Sequence, residues 1–331
     1  MNHRTLSFIT LVILAFFSCN PSLRHAKRQF FRMSTMVDVT VSSNKNDATL
    51  ERLWRSVDSL LAFWESRYSQ TTGRSEVRTF NSLAGSVRPV TGLFGGMIAD
   101  ALAYGDTTGG LFDITILPIK NLWGLGETDT IHRVPGADTL ARTLRHVDYR
   151  SVRVNRSHDT VFLADTAATI DAGGFAKGYA LMDVAALLDK KGFTDYLVSA
   201  GDVVARGRRC DGKPWRIGIQ DPRKERLIAS VAFDTGAIFT SGDYESFWML
   251  GDRRIHHLFN PGTGRSCTNN RSVTIGSPSV LQAKYLSTGL FCLPADSVVA
   301  FVDRRGINCL VVDSTGAVFI SKGWKNRVTI E

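Results

Sequence analysis

Apolar and polar positions change rhythm along the chain, and each rhythm predicts an element. From Met36 to Ser42, Val and Thr alternate with polar residues, the period of two expected of a strand with one buried face. From Asp47 onward Leu50, Leu53, Trp54, Val57, Leu60, Leu61 and Trp64 recur in steps of three and four, which places them on one stripe of a helix capped by Asn46 or Asp47. The same spacing predicts helices over 90–104, 139–146, 175–191 and 279–291. Short alternating runs predict strands over 151–155, 160–163, 196–200, 203–207, 215–219, 228–234, 256–260, 272–276, 309–313 and 317–320. Many of these strands form pairs joined by Gly, Asn or Asp turns. The expected class is therefore α+β, with mixed, largely antiparallel sheets and packed helices in a single catalytic domain over 33–331. No internal repeat interrupts it.

The N-terminus breaks this pattern. One early Arg4, an apolar core from Leu6 to Phe17 and a small residue before Cys19 give the layout of a secretory signal peptide over 1–18. Phe16-Phe17-Ser18-Cys19 resembles the lipobox of bacterial lipoproteins, in which the Cys is acylated after cleavage, so Cys19 is the expected lipidation site. Residues 19–32 carry Arg24, Lys27, Arg28 and Arg32 with no acid, and are expected to be a basic tether drawn to an anionic membrane surface. An exported, lipid-anchored protein on the periplasmic side of the bacterial inner membrane follows.

Composition adds exclusions. The 331 residues are 44% hydrophobic and 21% charged with 9 Pro, which excludes disordered and collagen-like chains. The formal charge of +9 comes from scattered basic residues without interleaved aromatic ones, so no nucleic-acid partner is expected. Besides Cys19 there are Cys210, Cys267, Cys292 and Cys309, none at zinc spacing, so no metal held by thiolates is predicted. A disulfide and a buried free Cys292 both remain open.

Two segments carry chemistry on their residues alone. Ile170-Asp171-Ala172-Gly173-Gly174-Phe175-Ala176-Lys177-Gly178-Tyr179 passes from an apolar run through paired glycines into a helix, an arrangement that brings backbone N–H groups and the Lys177 ammonium toward an anion, although Asp-x-Gly-Gly is also a common turn. His256-His257-Leu258-Phe259-Asn260-Pro261-Gly262 puts two histidines on a predicted strand, where neighbours face opposite sides and at most one reaches a shared site.

Taken together and in order, these segments resemble the ApbE-type flavin transferases, the FAD:protein FMN transferase family in its lipoprotein form. Met33-Ser34-Thr35 stands where Met-Gly-Thr is usual, and Ser66-Arg67-Tyr68, Gly110-Leu111-Phe112-Asp113-Ile114-Thr115, Leu122-Trp123-Gly124, Asp171 to Tyr179, Trp215 to Pro222, Thr240 to Tyr244 and His257 to Gly264 match in turn. The resemblance implies a T-fold-related domain that binds FAD as substrate in an extended pocket. It implies transfer of the FMN half, through a phosphoester, to a Thr or Ser of a membrane-associated electron-transfer protein, such as a subunit of an ion-pumping quinone reductase, with release of AMP. It further implies that Met33, Tyr68, Leu111, Phe112, Asp113, Asp171, Lys177 and Leu258 line the FAD site and that His257 helps deprotonate the acceptor hydroxyl.

One motif departs from the family. The resemblance implies a Mg²⁺ held by an Asp and a Thr of a late helix and by a backbone oxygen near the Gly-Gly turn, so Gly174, Ser287 and Thr288 are the metal candidates. That helix reads Ala283-Lys284-Tyr285-Leu286-Ser287-Thr288 here, with Lys284 at the carboxylate position, and an ammonium cannot ligate Mg²⁺. Two alternatives to the transferase follow: an FAD-binding lipoprotein without turnover, and an FAD pyrophosphatase. Asn260 also replaces an Asp usual before Pro261, keeping the turn chemistry without the charge.

Overall fold

The computed structural model describes residues 23–331 except 70–74, 84–86, 127–130, 158 and 174–175. The expected signal segment, Cys19 and Gly174 lie outside the described residues. The backbone of the molecule is an eight-stranded, wholly antiparallel sheet whose strands we number β1 (Arg24–Arg32), β2 (Thr35–Ser43), β3 (Tyr196–Ala200), β4 (Asp202–Arg206), β5 (Gly236–Gly242), β6 (Asn270–Ser277), β7 (Asn308–Asp313) and β8 (Val318–Ile320). Their order in space is their order in the chain. Everything else is an excursion between neighbouring strands or the C-terminal segment after β8.

The first excursion, 44–195, is a helical lobe: α1 (Asp47–Tyr68), α2 (Glu76–Ser82), α3 (Gly92–Thr107), α4 (Leu117–Leu122), α5 (Ala137–Leu144) and α6 (Ala176–Lys190), with a small sheet of Val87–Pro89, Val152–Asn155 and Thr160–Leu163. Helix α1 starts where the Asn46 side chain accepts the Thr49 N–H, and it buries Leu50, Leu53, Trp54, Val57, Leu61 and Trp64 of the predicted stripe together with Tyr68, while Leu60 is half-buried. The second excursion supplies Trp215–Gln220 and Leu227–Phe233, which pair with each other, and Leu227–Phe233 pairs in turn with the C-terminal Val328–Ile330. The third, 243–269, holds the hairpin Phe247–Leu250/Arg253–His256. The fourth holds α7 (Val280–Gly289) and α8 (Ala295–Asp303).

The sheet is covered on both faces, and the alternation along its strands shows how. On β7, Cys309 and Val311 enter the core shared with α1, α6, α7 and α8, while Leu310 and Val312 pack under Trp324 and the Trp215–Phe233 strands. The result is three layers: helices, central sheet, small sheet. Strand β6 passes close under Trp324, so closely that a Cβ on Gly276 would overlap the indole.

The structure corrects several expectations. The segment expected to be a basic tether is β1, paired along its whole length with β2. Its bases are already matched: Arg24 with Asp47, Lys27 with Asp38 at 3.2 Å, Arg28 with Glu51 at 2.5 Å and Arg32 with Asp58 at 2.7 Å. The catalytic domain thus begins before residue 33. The strand expected over 256–260 is interrupted, Arg253–His256 and Phe259–Asn260 being separated by His257 and Leu258. Cys292 is joined to Cys267, with Cα atoms 5.1 Å apart, while Cys210 and Cys309 are free thiols.

Candidate active site

Because the strands alternate in direction, the turns between β1 and β2, β3 and β4, and β5 and β6 all emerge at one edge of the sheet. Helix α6 begins and α7 ends at that same edge. There a cleft is lined by Leu111, Phe112, Asp113 and Ile114 from the first excursion, Asp171 ahead of α6, Leu258, Phe259 and Pro261 from the third, and Thr288 and Cys292 at and just beyond the end of α7. Sequence reasoning assigned Leu111, Phe112, Asp113, Asp171, Leu258 and Thr288 to the site, and the fold brings all six together from segments far apart in the chain.

Lysines converge beside this cleft. Lys120 Nζ contacts Asp171 Oδ2 at 2.7 Å, with both side chains nearly buried, and the other Asp171 oxygen accepts the Gly173 N–H at 3.1 Å. Lys177 Nζ contacts Asp202 Oδ2 at 2.7 Å and donates to the Ala200 carbonyl at 3.2 Å. Asp202 in turn accepts the Thr240 N–H at 3.0 Å. Lys284 faces Asp202, Lys177, Asp171 and Lys120, and forms no ion pair among the described residues. Its stem lies over α6, where a Cβ added to Gly178 would come within 3.3 Å of Lys284 Cγ. Burial lowers the ammonium pKa to about 8, a shift that Asp202 opposes and Lys177 reinforces.

His256 and His257 take different roles, as their adjacency requires. His256 is buried and structural: Nε2 meets the Cys267 carbonyl at 2.8 Å and Nδ1 accepts the Leu258 N–H at 3.3 Å. His257 keeps partial solvent contact within the enclosing protein, and its Nδ1 faces the Ser246 carbonyl at 3.3 Å. With Nδ1–H donating there, Nε2 is left as the free acceptor. Enclosure first, then the charges of Lys120 and Lys284, depress its pKa to about 3, so the imidazole is neutral at physiological pH.

Other predicted residues do other work. Asp113 lines the cleft, but its carboxylate accepts from the Thr115 N–H at 2.8 Å, the Thr115 hydroxyl at 2.6 Å and the Tyr149 N–H at 3.0 Å, so it shapes the wall. Burial raises its pKa against those bonds. Met33 is the first residue of the two-residue β1–β2 turn, where Met33 and Ser34 have φ of 52° and 58° and the Met33 N–H donates to Glu65 Oε1 at 2.7 Å. Tyr68 is 3% exposed, packed on Trp64 and Phe94 in the core of the helical lobe. Neither Met33 nor Tyr68 lines the cleft. Asn260 performs the expected turn chemistry, its Oδ1 accepting the Gly262 N–H at 2.8 Å. Sequence reasoning missed Lys120, whose signal was a lone charge inside the apolar run Leu117 to Trp123, and it missed Asp202 as a partner for Lys177.

Of the metal candidates, Gly174 lies outside the described residues, and Ser287 and Thr288 offer a cation only neutral hydroxyls. Among the described residues no group of three His, Cys, Asp or Glu could hold a metal ion. The Ser287 hydroxyl donates to the Lys284 carbonyl at 2.9 Å, and Ser287 and Thr288 each lie 3.2 Å from Ser241 Oγ. Asp171 and Asp202 are each paired with a lysine, and Lys284 adds a positive charge that repels a dication. Mg²⁺ requires an octahedron of oxygen donors, and these residues do not fit it.

Comparison with known proteins agrees with this architecture. A family model described as the ApbE family matches residues 33–311. The FAD:protein FMN transferase of Escherichia coli K12 is 32% identical over 246 residues, covering 71% of this chain and 68% of that protein. The FAD:protein FMN transferase of Klebsiella pneumoniae is 30% identical over 305 residues, covering 89% and 84%. Among solved structures, the ApbE protein of Thermotoga maritima superposes with a TM-score of 0.83 at 29% identity, over 91% of this chain and 98% of that one. The apo flavinyl transferase ApbE of Pseudomonas stutzeri gives 0.81 at 28% identity, over 91% and 95%. On the family match, the shared fold and the cleft assembled at one edge of its sheet, the chain belongs to the ApbE family.

Proposed function

We propose that this protein is an FAD:protein FMN transferase. The observation that carries the reading is the convergence of the 111–114 wall, Asp171, Leu258 and Thr288 on one cleft, with a lysine cluster for a diphosphate and a neutral His257 beside it. In the reaction, a Thr or Ser hydroxyl oxygen of the acceptor attacks the phosphorus of the FMN half of FAD. The bond from that phosphorus to the oxygen bridging toward AMP breaks, AMP leaves with its electron pair, and the hydroxyl proton passes to His257. An imidazole depressed to about 3 is a weak base. A diphosphate placed beside Lys120 and Lys284 offsets the charges that depress it, so substrate binding raises its basicity where it is needed.

The Cys19 lipobox resemblance supports an exported, lipid-anchored enzyme at the periplasmic side of the inner membrane, with subunits of ion-pumping quinone reductases as acceptors. Loss of acylation and of membrane retention in Cys19→Ser is the outcome expected there. The transferase itself is tested by incubating the purified protein with FAD and a Thr-bearing acceptor domain, then reading flavin fluorescence from the denatured acceptor. A fluorescent acceptor band with equimolar AMP supports transfer, whereas AMP and FMN without a band indicate a pyrophosphatase. FAD binding with neither product identifies a flavin-binding protein.

A further inference from the structure

The diphosphate of FAD needs positive charge, and the residues that surround its expected position do not build a metal site. They build a cationic one. Three ammonium groups, Lys120, Lys177 and Lys284, meet two carboxylates, Asp171 and Asp202. Each carboxylate is committed: Asp171 to Lys120 at 2.7 Å and to the Gly173 N–H, Asp202 to Lys177 at 2.7 Å and to the Thr240 N–H. The surplus positive charge is therefore that of Lys284, which has no ion-pair partner among the described residues.

Position as well as charge singles Lys284 out. Its stem lies close to Gly178, in the first turn of α6 and one residue beyond Lys177, so it reaches from the middle of α7 toward the start of α6. A larger residue at 178 would displace it.

Resting on the FAD reading above, we propose that Lys284 is the fixed cation of this active site, binding the FAD diphosphate directly in place of a divalent metal, so that this enzyme takes its substrate without Mg²⁺. An ammonium donates up to three hydrogen bonds to phosphate oxygens and offsets one negative charge without leaving the protein.

The test measures FAD binding to the full-length protein by quenching of flavin fluorescence, in EDTA and in millimolar Mg²⁺, for wild type, Lys284→Met and Lys284→Asp. Circular dichroism confirms that each variant folds. The expected wild-type affinity is the same in EDTA and in Mg²⁺. Lys284→Met, which keeps the length of the stem and removes the charge, should bind FAD roughly tenfold to a hundredfold more weakly, the loss that removal of one charge-assisted hydrogen bond entails. Lys284→Asp should bind poorly in EDTA and recover in Mg²⁺. Wild-type binding that requires Mg²⁺ overturns the metal-free site while leaving the transferase reading intact, as does unchanged affinity in Lys284→Met. A folded wild type that binds no FAD under either condition overturns both.

Discussion

His257 and Ser34 show how much a single position contributes. His257→Asn keeps a donor toward Ser246 and removes the proton acceptor, so FMN transfer should fall by about a hundredfold or more while FAD affinity changes little. A pH signature accompanies this. The folded pKa of His257 is about 3, below the ordinary 6.5, so between those values the unfolded chain binds more protons and acid favours unfolding. Stability from this residue is fully present above about pH 6.5 and is lost as pH falls toward 3. The melting temperature of His257→Asn should therefore fall less steeply than wild type between pH 6 and 4. His256, whose pKa burial also lowers, retains its own share of the slope. Ser34 holds a φ of 58° in a turn where the family's usual Gly would be unstrained. Ser34→Gly should raise stability by about 1 kcal/mol, read from denaturant midpoints, since an L-residue in the left-handed region costs about that much.

At the level of elements, what the sequence disclosed depended on whether burial left a periodic trace. Helices α1, α3, α6 and α7 were legible because each turns an apolar stripe toward the core, and the cleft segments were legible because glycines and prolines punctuate them. Strand β1 was not. Its sequence is dense in Arg and Lys because an edge strand leaves one side to water, and the acids that answer those bases lie on α1 and β2, which no local reading connects to it. The interruption at His257 escaped notice for a similar reason: Arg253–His256 pairs with Phe247–Leu250 and Phe259–Asn260 with Arg265–Ser266, two different partners that no local reading assigns. Strand β6 tolerates no such freedom. Gly276 lies against the Trp324 indole, so Gly276→Ala should destabilise the fold by roughly 1–3 kcal/mol, measured by chemical denaturation, because the ring has no space to retreat from an added methyl.

For the whole molecule, the disulfide and the order of the sheet set the behaviour. Cys267 and Cys292, 25 residues apart, join the histidine excursion to the end of α7, and Cys292 lines the cleft. Reduction, or Cys267→Ser with Cys292→Ser, should lower stability by about 3 kcal/mol, the loop-closure contribution of a cross-link of this span. The same change frees one wall of the cleft, so weaker FAD binding should accompany the lower melting temperature.

The sheet's chain-ordered layout has a kinetic meaning. Strands β3 to β8 can zip in sequence through short or moderate closures, whereas joining β2 to β3 must wait until the ends of the whole helical lobe are brought together. That seam is the natural fault line of the molecule. In native-state hydrogen exchange the β2–β3 amides Asp38, Thr40, Leu197 and Ser199 should open in a smaller, earlier unit than those of β5 to β7. A nascent chain leaving the ribosome would then carry its first hairpin undocked until its later strands had emerged, a waiting period in which an unpaired β2 edge is open to a chaperone or to a neighbouring copy.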